Sequence, residues 1–373
     1  MKYWRGYVVA AVFAALSWAL TQFAKAHTEL VDMVYPYVTR LIQTALAQWS
    51  SGVDSCLWQI VLLFLAVGFL ASIVLMIVLR WNPVQWFGWV LAVTCLFSFL
   101  NTGLYGLNKY AGSVADDVRL NVQEGYTPAE LADAAAYFRD KANALSSQVN
   151  RGSDHEIVSA DFDVQAKLAV ESFNTLTYDK VMSIYAGSNT PVKELGWSDT
   201  YTNRGITGVM VSLTGEAAVN PQVPGIGLPF AMCREMAHRV CVYNDADADF
   251  SAFLACSVNE DVLFQYAGYA LAYRACLNAL AASPDSAQHS AAVTIESGAS
   301  TYLRADLQVY EAFLENASQK PASDEEDPRP TFTDMLVSWY IQEIVLPMHV
   351  EEEVQFDPLD ENQVDLSGLV NAG

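Results

Sequence analysis

Basic residues are scarce in this chain of 373 residues: 20 Lys and Arg stand against 42 Asp and Glu, for a formal net charge of −22. Binding to nucleic acid needs a basic footprint that displaces counterions from phosphates, so that class of partner is excluded. The scarcity is uneven. The first 110 residues hold six Lys or Arg and three Asp or Glu, a balance of +3, which leaves −25 for the remaining 263. So acidic a second part is repelled by anionic headgroups and is expected to stand off the membrane as a water-soluble body. No Cys-x-x-Cys occurs among the six cysteines, which excludes a thiolate zinc framework. Cys56 and Cys95 fall in apolar runs. Cys233, Cys241, Cys256 and Cys276 fall in the acidic part, where an outer compartment would permit disulfides and free, buried thiols are expected. No internal repeat is visible.

Long apolar runs fill the front. Residues 6–24 carry no charge between Arg5 and Lys25, residues 55–79 none between Asp54 and Arg80, and residues 81–108 none at all, with about 84–104 able to span. Each reaches the roughly 20 residues needed to cross a hydrocarbon core. Trp81, Trp86 and Trp89 crowd one end of the third, as interfacial aromatics do. The first run, followed by Ala24-Lys25-Ala26, also fits a secretory signal with a small-residue cleavage site. With two further spans so close, a retained helix is expected. Lys2, Arg5 and Arg80 then lie on the cytoplasmic side, and the third span delivers residues 110–373 outside. The expected location is a cell membrane, multi-pass, with an extracytoplasmic C-terminal domain and the lipid bilayer as partner.

Residues 26–54 read as a short outer loop containing Tyr35-Pro36-Tyr37 and an amphipathic run, Val38 to Trp49, near the interface. Thr127-Pro128-Ala129-Glu130 starts a helix, with Thr as cap, Pro in the first turn and Glu at the third position. This helix runs to about Gln148, and a second covers about 163–185. The alternating run Gly208-Val209-Met210-Val211-Ser212-Leu213 reads as part of a small hairpin or ribbon. Helices return at about 228–242, 246–257, 260–282, 286–318 and 331–348, with an acidic, Pro-punctuated loop from Lys320 to Pro330. The fold class is mainly α: membrane helices within 1–109, a helical domain with a small ribbon over 110–350, and an acidic C-terminal segment, 351–373.

The chemistry concentrates in Cys233-Arg234-Glu235-Met236-Ala237-His238 and the run Asp245-Ala246-Asp247-Ala248-Asp249-Phe250. A zinc hydrolase of the His-Glu-x-x-His type places two imidazoles one helical turn apart, with the Glu as general base to the metal-bound water. Glu235 and His238 stand in place. Arg234 occupies the first His position, and a guanidinium cannot ligate zinc. Taken alone, Glu-x-x-His recurs by chance and carries little.

The surrounding motifs carry more. Thr214-Gly215-Glu216-Ala217-Ala218-Val219-Asn220, Pro229-Phe230 ahead of Arg234-Glu235-Met236-Ala237-His238, and the Asp245–Cys256 segment follow in order. With Gly106-Leu107-Asn108 and the three spans, the chain resembles a bacterial family of three-span membrane proteins, a domain of unknown function with a gluzincin-like outer domain. That family's pattern is Thr-Gly-Glu-Ala-x-Val-Asn, Pro-Phe-x-x-x-His-Glu-x-Ala-His and Glu-x-Glu-Ala-Asn-Phe-x-Ala-Tyr-Leu-Ala. The resemblance implies that Glu235 is the catalytic base and His238 a zinc ligand. Asp245 or Asp247 would be the acidic ligand, Asp245 by analogy with related membrane gluzincins. Zinc, the family's cofactor, is expected to be lost or weakly held here, because Arg234 replaces one imidazole. Glu216, in the ribbon, is a further cleft candidate.

Two uses of Arg234 stand open: bonding the acidic run and Glu235 in place of an ion, or extending into solvent. Cys233, Tyr266 and Tyr269 read as core residues, and His155, His289 and His349 as solvated. The expected function is a catalytically impaired pseudopeptidase that binds a peptide or protein in its outer cleft. The alternatives are an active metallopeptidase with a replacement ligand, and a non-enzymatic structural or assembly protein.

Overall fold

The computed structural model describes residues 2–123, 125–315 and 329–347. The acidic tail 351–373 lies outside them, as does the 320–330 loop except Arg329 and Pro330. The front holds α1 (Arg5–Ala26), α2 (Thr28–Ser50), α3 (Leu57–Val78) and α4 (Pro83–Leu104), followed by a 3-10 turn, Gly106–Tyr110. Next come α5 (Val114–Asp117), α6 (Pro128–Ser146), α7 (Phe162–Tyr178), strand β1 (Lys193–Glu194), α8 (Ser198–Thr202), β2 (Gly208–Val211) and β3 (Glu216–Val219). The chain continues through α9 (Leu228–Arg239), α10 (Asp245–Val258), α11 (Val262–Ala282), α12 (Ser286–Ser297), α13 (Thr301–Glu315) and α14 (Phe332–Tyr340). The fold is mainly α with a small sheet.

Helices α1, α3 and α4 have 22 residues each and are long and apolar enough to cross a membrane. Helix α4 starts on a built cap: Asn82 accepts from the Val84 and Gln85 amides, with Pro83 in the first turn. Helices α1 and α4 run side by side in the same direction. Tyr7 bonds the Val84 carbonyl, and the Phe13 and Phe99 rings lie 5.7 Å apart. Their crossing is built from Gly6, Ala10, Gly88 and Ala92, all buried, a small-xxx-small pattern on both helices that brings the backbones together. None of α3's apolar window is buried. It meets α4 near the Arg80 turn, where the Trp86 indole donates to Ser72 (3.1 Å), and its other end docks on the sheet.

Within the expected loop 26–54, residues 28–50 are helical. Helix α2 runs through Pro36, and Tyr35 donates to the Thr102 and Gly103 carbonyls at the end of α4. Strand β3 is the centre of the sheet, parallel to β1 and antiparallel to β2, with Val211 opposite Glu216. The β2–β3 turn presses on α2. Gly215 has φ +66°, and a Cβ there would meet the Gln43 carbonyl and Ala47 amide at 2.6 Å. One hydrophobic core extends from Val114 to Val337, with Phe138, Phe253 and Trp339 edge to face or stacked at its centre.

Two helices end earlier than their periodicity suggests. The long helix expected over 286–318 breaks after Ser297. The Arg139 guanidinium packs against Gly298, and Asn143 bonds both the Gly298 carbonyl and the Ser300 amide. Helix α7 stops at Tyr178, and Val181 takes a left-handed φ of 57°. The cysteines of the acidic part are free and buried.

The α1–α4 crossing is directly testable. A leucine at Gly6 would overlap the Gly88 backbone and cost about 1–3 kcal/mol of packing. A Phe13→Cys/Phe99→Cys pair should be bridged by a short bismaleimide, and adding Gly6→Leu should suppress that cross-link. Undiminished cross-linking would sink this packing.

Candidate functional site

Helix α9 is buried along its length except at Arg234. It starts at Leu228, with Pro229 in its first turn, and is followed by a tight turn with Cys241 at φ 77°. That turn brings α10 back antiparallel, starting from Asn244, which accepts from the Ala246 amide at 2.7 Å. Two consequences follow for the site. Asp245 sits in the first turn of α10, where the helix dipole favours a carboxylate. Asp249, one turn later on the same face, is set beside it.

Arg234 meets them both. Its Nη2 donates to Asp245 (2.7 Å), its Nε to Asp249 (2.8 Å) and its Nη1 to Glu235 (3.3 Å). The guanidinium is thus bound by three carboxylates, and they raise its pKa against the cost of burial. Glu235 is 2% exposed and packs against Gly208 of β2, where a Cβ would lie 2.5 Å from the Glu235 Cγ. Burial pushes the Glu235 carboxyl up to about 7; Asp245 and Asp249 add to the rise, and Arg234 opposes it. The His238 Nδ1 lies 2.8 Å from the Val242 carbonyl. A carbonyl only accepts, so Nδ1 carries a proton, and Nε2 faces Asp245 at 3.8 Å.

Arg234, Glu235, His238 and Asp245 line a cleft of about 840 Å³, together with Tyr105 after α4 and the edge strand β2. A second chamber, about 910 Å³, lies on the other side of Arg234 and shares Gly208 with the first. Its walls are mixed: Phe230, Leu271, Leu314 and Phe332 are apolar, and Arg204, Asp249 and Arg274 are charged.

The structure gathers Arg234, Glu235, His238 and Asp245. Asp247 is elsewhere: it is buried and accepts from the Ser113 hydroxyl (2.6 Å) and the Val114 amide (3.1 Å), tying α10 to α5. Glu216 is not in the cleft either. It accepts from the Leu57 and Trp58 amides (2.7 and 2.9 Å) and from Lys193 (2.7 Å), so it caps the start of membrane helix α3. Asp249 was not anticipated, because it stands where the resembled pattern has Asn. Its signal is the i, i+4 spacing from Asp245. Where the resembled pattern has its first His, Arg234 stands, and a guanidinium is not a metal donor. Among the described residues no group of three or more His, Cys, Asp or Glu is placed to hold a metal ion.

The Glu235 pKa makes stability depend on pH. A carboxyl raised from 4.5 to about 7 holds its proton in the folded protein after the unfolded chain has lost it. Its contribution is fully present below pH 4.5 and is lost as pH rises through 7. The loss is at most about 3 kcal/mol, at roughly 1.4 kcal/mol per pH unit. Unfolding in detergent at pH 5 and pH 7.5 should show this drop for the parent protein and a smaller one for Glu235→Gln. Equal pH dependence in the two proteins would refute it.

The chain matches, over residues 31–326, the family described as "Protein of unknown function (DUF3810)". No curated protein and no solved structure matches it. Since the matched segment is most of the chain, and three of its helices are long and apolar enough to span a bilayer, the protein belongs to this membrane-protein family of unknown function.

Proposed function

We propose that this is a membrane-anchored, gluzincin-like pseudopeptidase, whose cleft binds an extended peptide or protein segment without hydrolysing it. The observation that carries the reading is the contact of one guanidinium with Asp245, Asp249 and Glu235. An arginine placed where the resembled family has a zinc-binding imidazole supplies positive charge to the same carboxylates. It also joins α9 to α10, as an ion ligated from both would. Glu235 is held against it, 3.3 Å from its Nη1. The placement of β2 supports binding. This edge strand lines both chambers, and an extended segment can add to such an edge through main-chain hydrogen bonds. The neighbouring chamber, lined by Phe230 and Phe332 as well as Arg204 and Arg274, would then take a side chain of that segment.

Two experiments test the reading. Arg234→His restores an imidazole one turn before His238, with Asp245 already near its Nε2. Zinc affinity should rise by orders of magnitude, read by metal analysis and by thermal shift. Saturation at about 100 times Kd corresponds to roughly 2.7 kcal/mol of added stability. Stoichiometric zinc in the parent protein would favour an active enzyme instead. No gain in the variant would mean that the site no longer has ligand geometry.

The second test concerns orientation. With Lys2, Arg5 and Arg80 on the cytoplasmic side, the cleft faces outward. A reporter that folds only outside the cytoplasm, fused at residue 200, should be active. A reporter that works only in the cytoplasm should be silent at the same site, and the reverse pattern overturns the orientation.

A further inference from the structure

Helix α2 links two membrane helices on one side of the bilayer. His27 alone separates it from α1, and residues 51–56 separate it from α3. Its 23 residues extend about 34 Å at 1.5 Å per residue. One face is sealed to the rest of the protein. Val31, Thr39, Gln43, Ala47 and Ser50 are buried there, Gln43 donates to the Leu104 and Ser212 carbonyls, and Arg40 donates to the Ser183 carbonyl.

The opposite face is apolar and open. Met33, Val34, Tyr37, Val38, Leu41 and Trp49 are exposed, Leu41 to 73% and Met33 and Trp49 to 69%. From Met33 to Leu41 they recur at the three- and four-residue spacing of a single helical stripe. From Met33 to Ser50 the helix carries one charged residue, Arg40, and that one is buried. An uncharged apolar stripe of this length on an aqueous surface calls for a cover.

The connections select the cover. Both ends of α2 are tied to helices of membrane-spanning length, so the helix is held at the level where α1 and α3 leave the hydrocarbon. Helix α3 does not return to the α1–α4 pair at this end. Glu216 caps it, and Gln59 exchanges two hydrogen bonds with Gly196, so it is fixed on the sheet. The bilayer therefore continues beneath α2 between the two attachment points. We infer that the exposed face of α2 is a membrane-interface surface. It lies in the leaflet next to the helical domain, with Val34, Val38 and Leu41 among acyl chains and Tyr37 and Trp49 near the headgroups. Such helices sit about 5–10 Å into the headgroup–acyl boundary. This surface is independent of what the cleft binds.

The test uses the full chain in phosphatidylcholine nanodiscs. Cys95, the one native thiol that is not buried, is first replaced by Ser. Met33→Cys and Leu41→Cys are each labelled with nitrobenzoxadiazole; Leu65→Cys in α3 serves as a lipid control and Val309→Cys on α13 as a solvent control. Phosphatidylcholine brominated near the carboxyl end of its acyl chains should remove most of the fluorescence at 33 and 41, as at 65, and little at 309. Aqueous iodide should show the reverse order. Labels at 33 and 41 that answer to iodide and not to bromolipid overturn the inference. So do labels immune to both quenchers in a protein that forms Leu41→Cys disulfide dimers, because a second copy would then be the cover.

Discussion

Much of the site rests on the demand of one buried carboxylate, Glu235, and two more open ones beside it for a cation. Glu235 is enclosed, and Asp245 and Asp249 are held beside it by the pitch of α10, within a segment that carries −25 of the chain's charge. Carboxylates so placed repel one another, and desolvation raises the cost of each charge. Arg234 answers this from the neighbouring turn of α9. Its planar fork reaches all three acids at 2.7–3.3 Å, which the point charge of a lysine could not do as well. The balance is incomplete at Glu235, whose carboxyl stays up near 7 despite the adjacent guanidinium. The site therefore holds a net negative charge above neutral pH and sheds part of it below.

The same sheet that borders the cleft also fixes the membrane helices. Strand β3 presents Glu216 to the first amides of α3, and Lys193 of β1 bonds both Glu216 and the Ser50 carbonyl at the end of α2. The β2–β3 turn is pinned under α2 by Gly215 and by the Gln43–Ser212 bond. Two membrane-side elements, α2 and α3, thus converge on one three-stranded sheet, whose outer strand, β2, lines the cleft. A shift of α2 or α3 relative to the helical domain would reach that edge through these side-chain-to-backbone hydrogen bonds and the ladder between β3 and β2.

Features set by short-range pattern were legible in the sequence. The three apolar runs, the Thr127 capping box with Glu130, and the helical periods around Arg234 and Asp245 each depend on residues within a turn or a span of one another. What escaped depends on distant partners. Glu216 sits in a ribbon motif that suggests a cleft residue, but its partners are amides 158 and 159 positions away. Asp247 and Asp245 are equivalent by spacing, and only the packing of α10 on α5 sends one to Ser113 and leaves the other by Arg234. The break at Gly298 needs Arg139 and Asn143 from α6, and the helicity of α2 through Pro36 is supported by Tyr35 contacts with α4.

On the proposed reading, the two departures from the resembled zinc pattern are one compensated change. Arginine projects its charge farther from the backbone than histidine does, and aspartate holds its carboxylate closer than glutamate by one methylene. A long cation between short anions keeps α9 and α10 at a spacing set by their shared core, where Cys233 and Cys256 approach to 3.9 Å. A glutamate at 245 would overreach the guanidinium, and an aspartate opposite a metal would fall short of it. The length match between Arg234 and the two aspartates is thus a physical reason for the acidic run to be built from Asp. It also limits what changing Arg234 alone restores: zinc affinity should rise with the added imidazole, but the acidic arm, one methylene short, would hold the ion out of catalytic register.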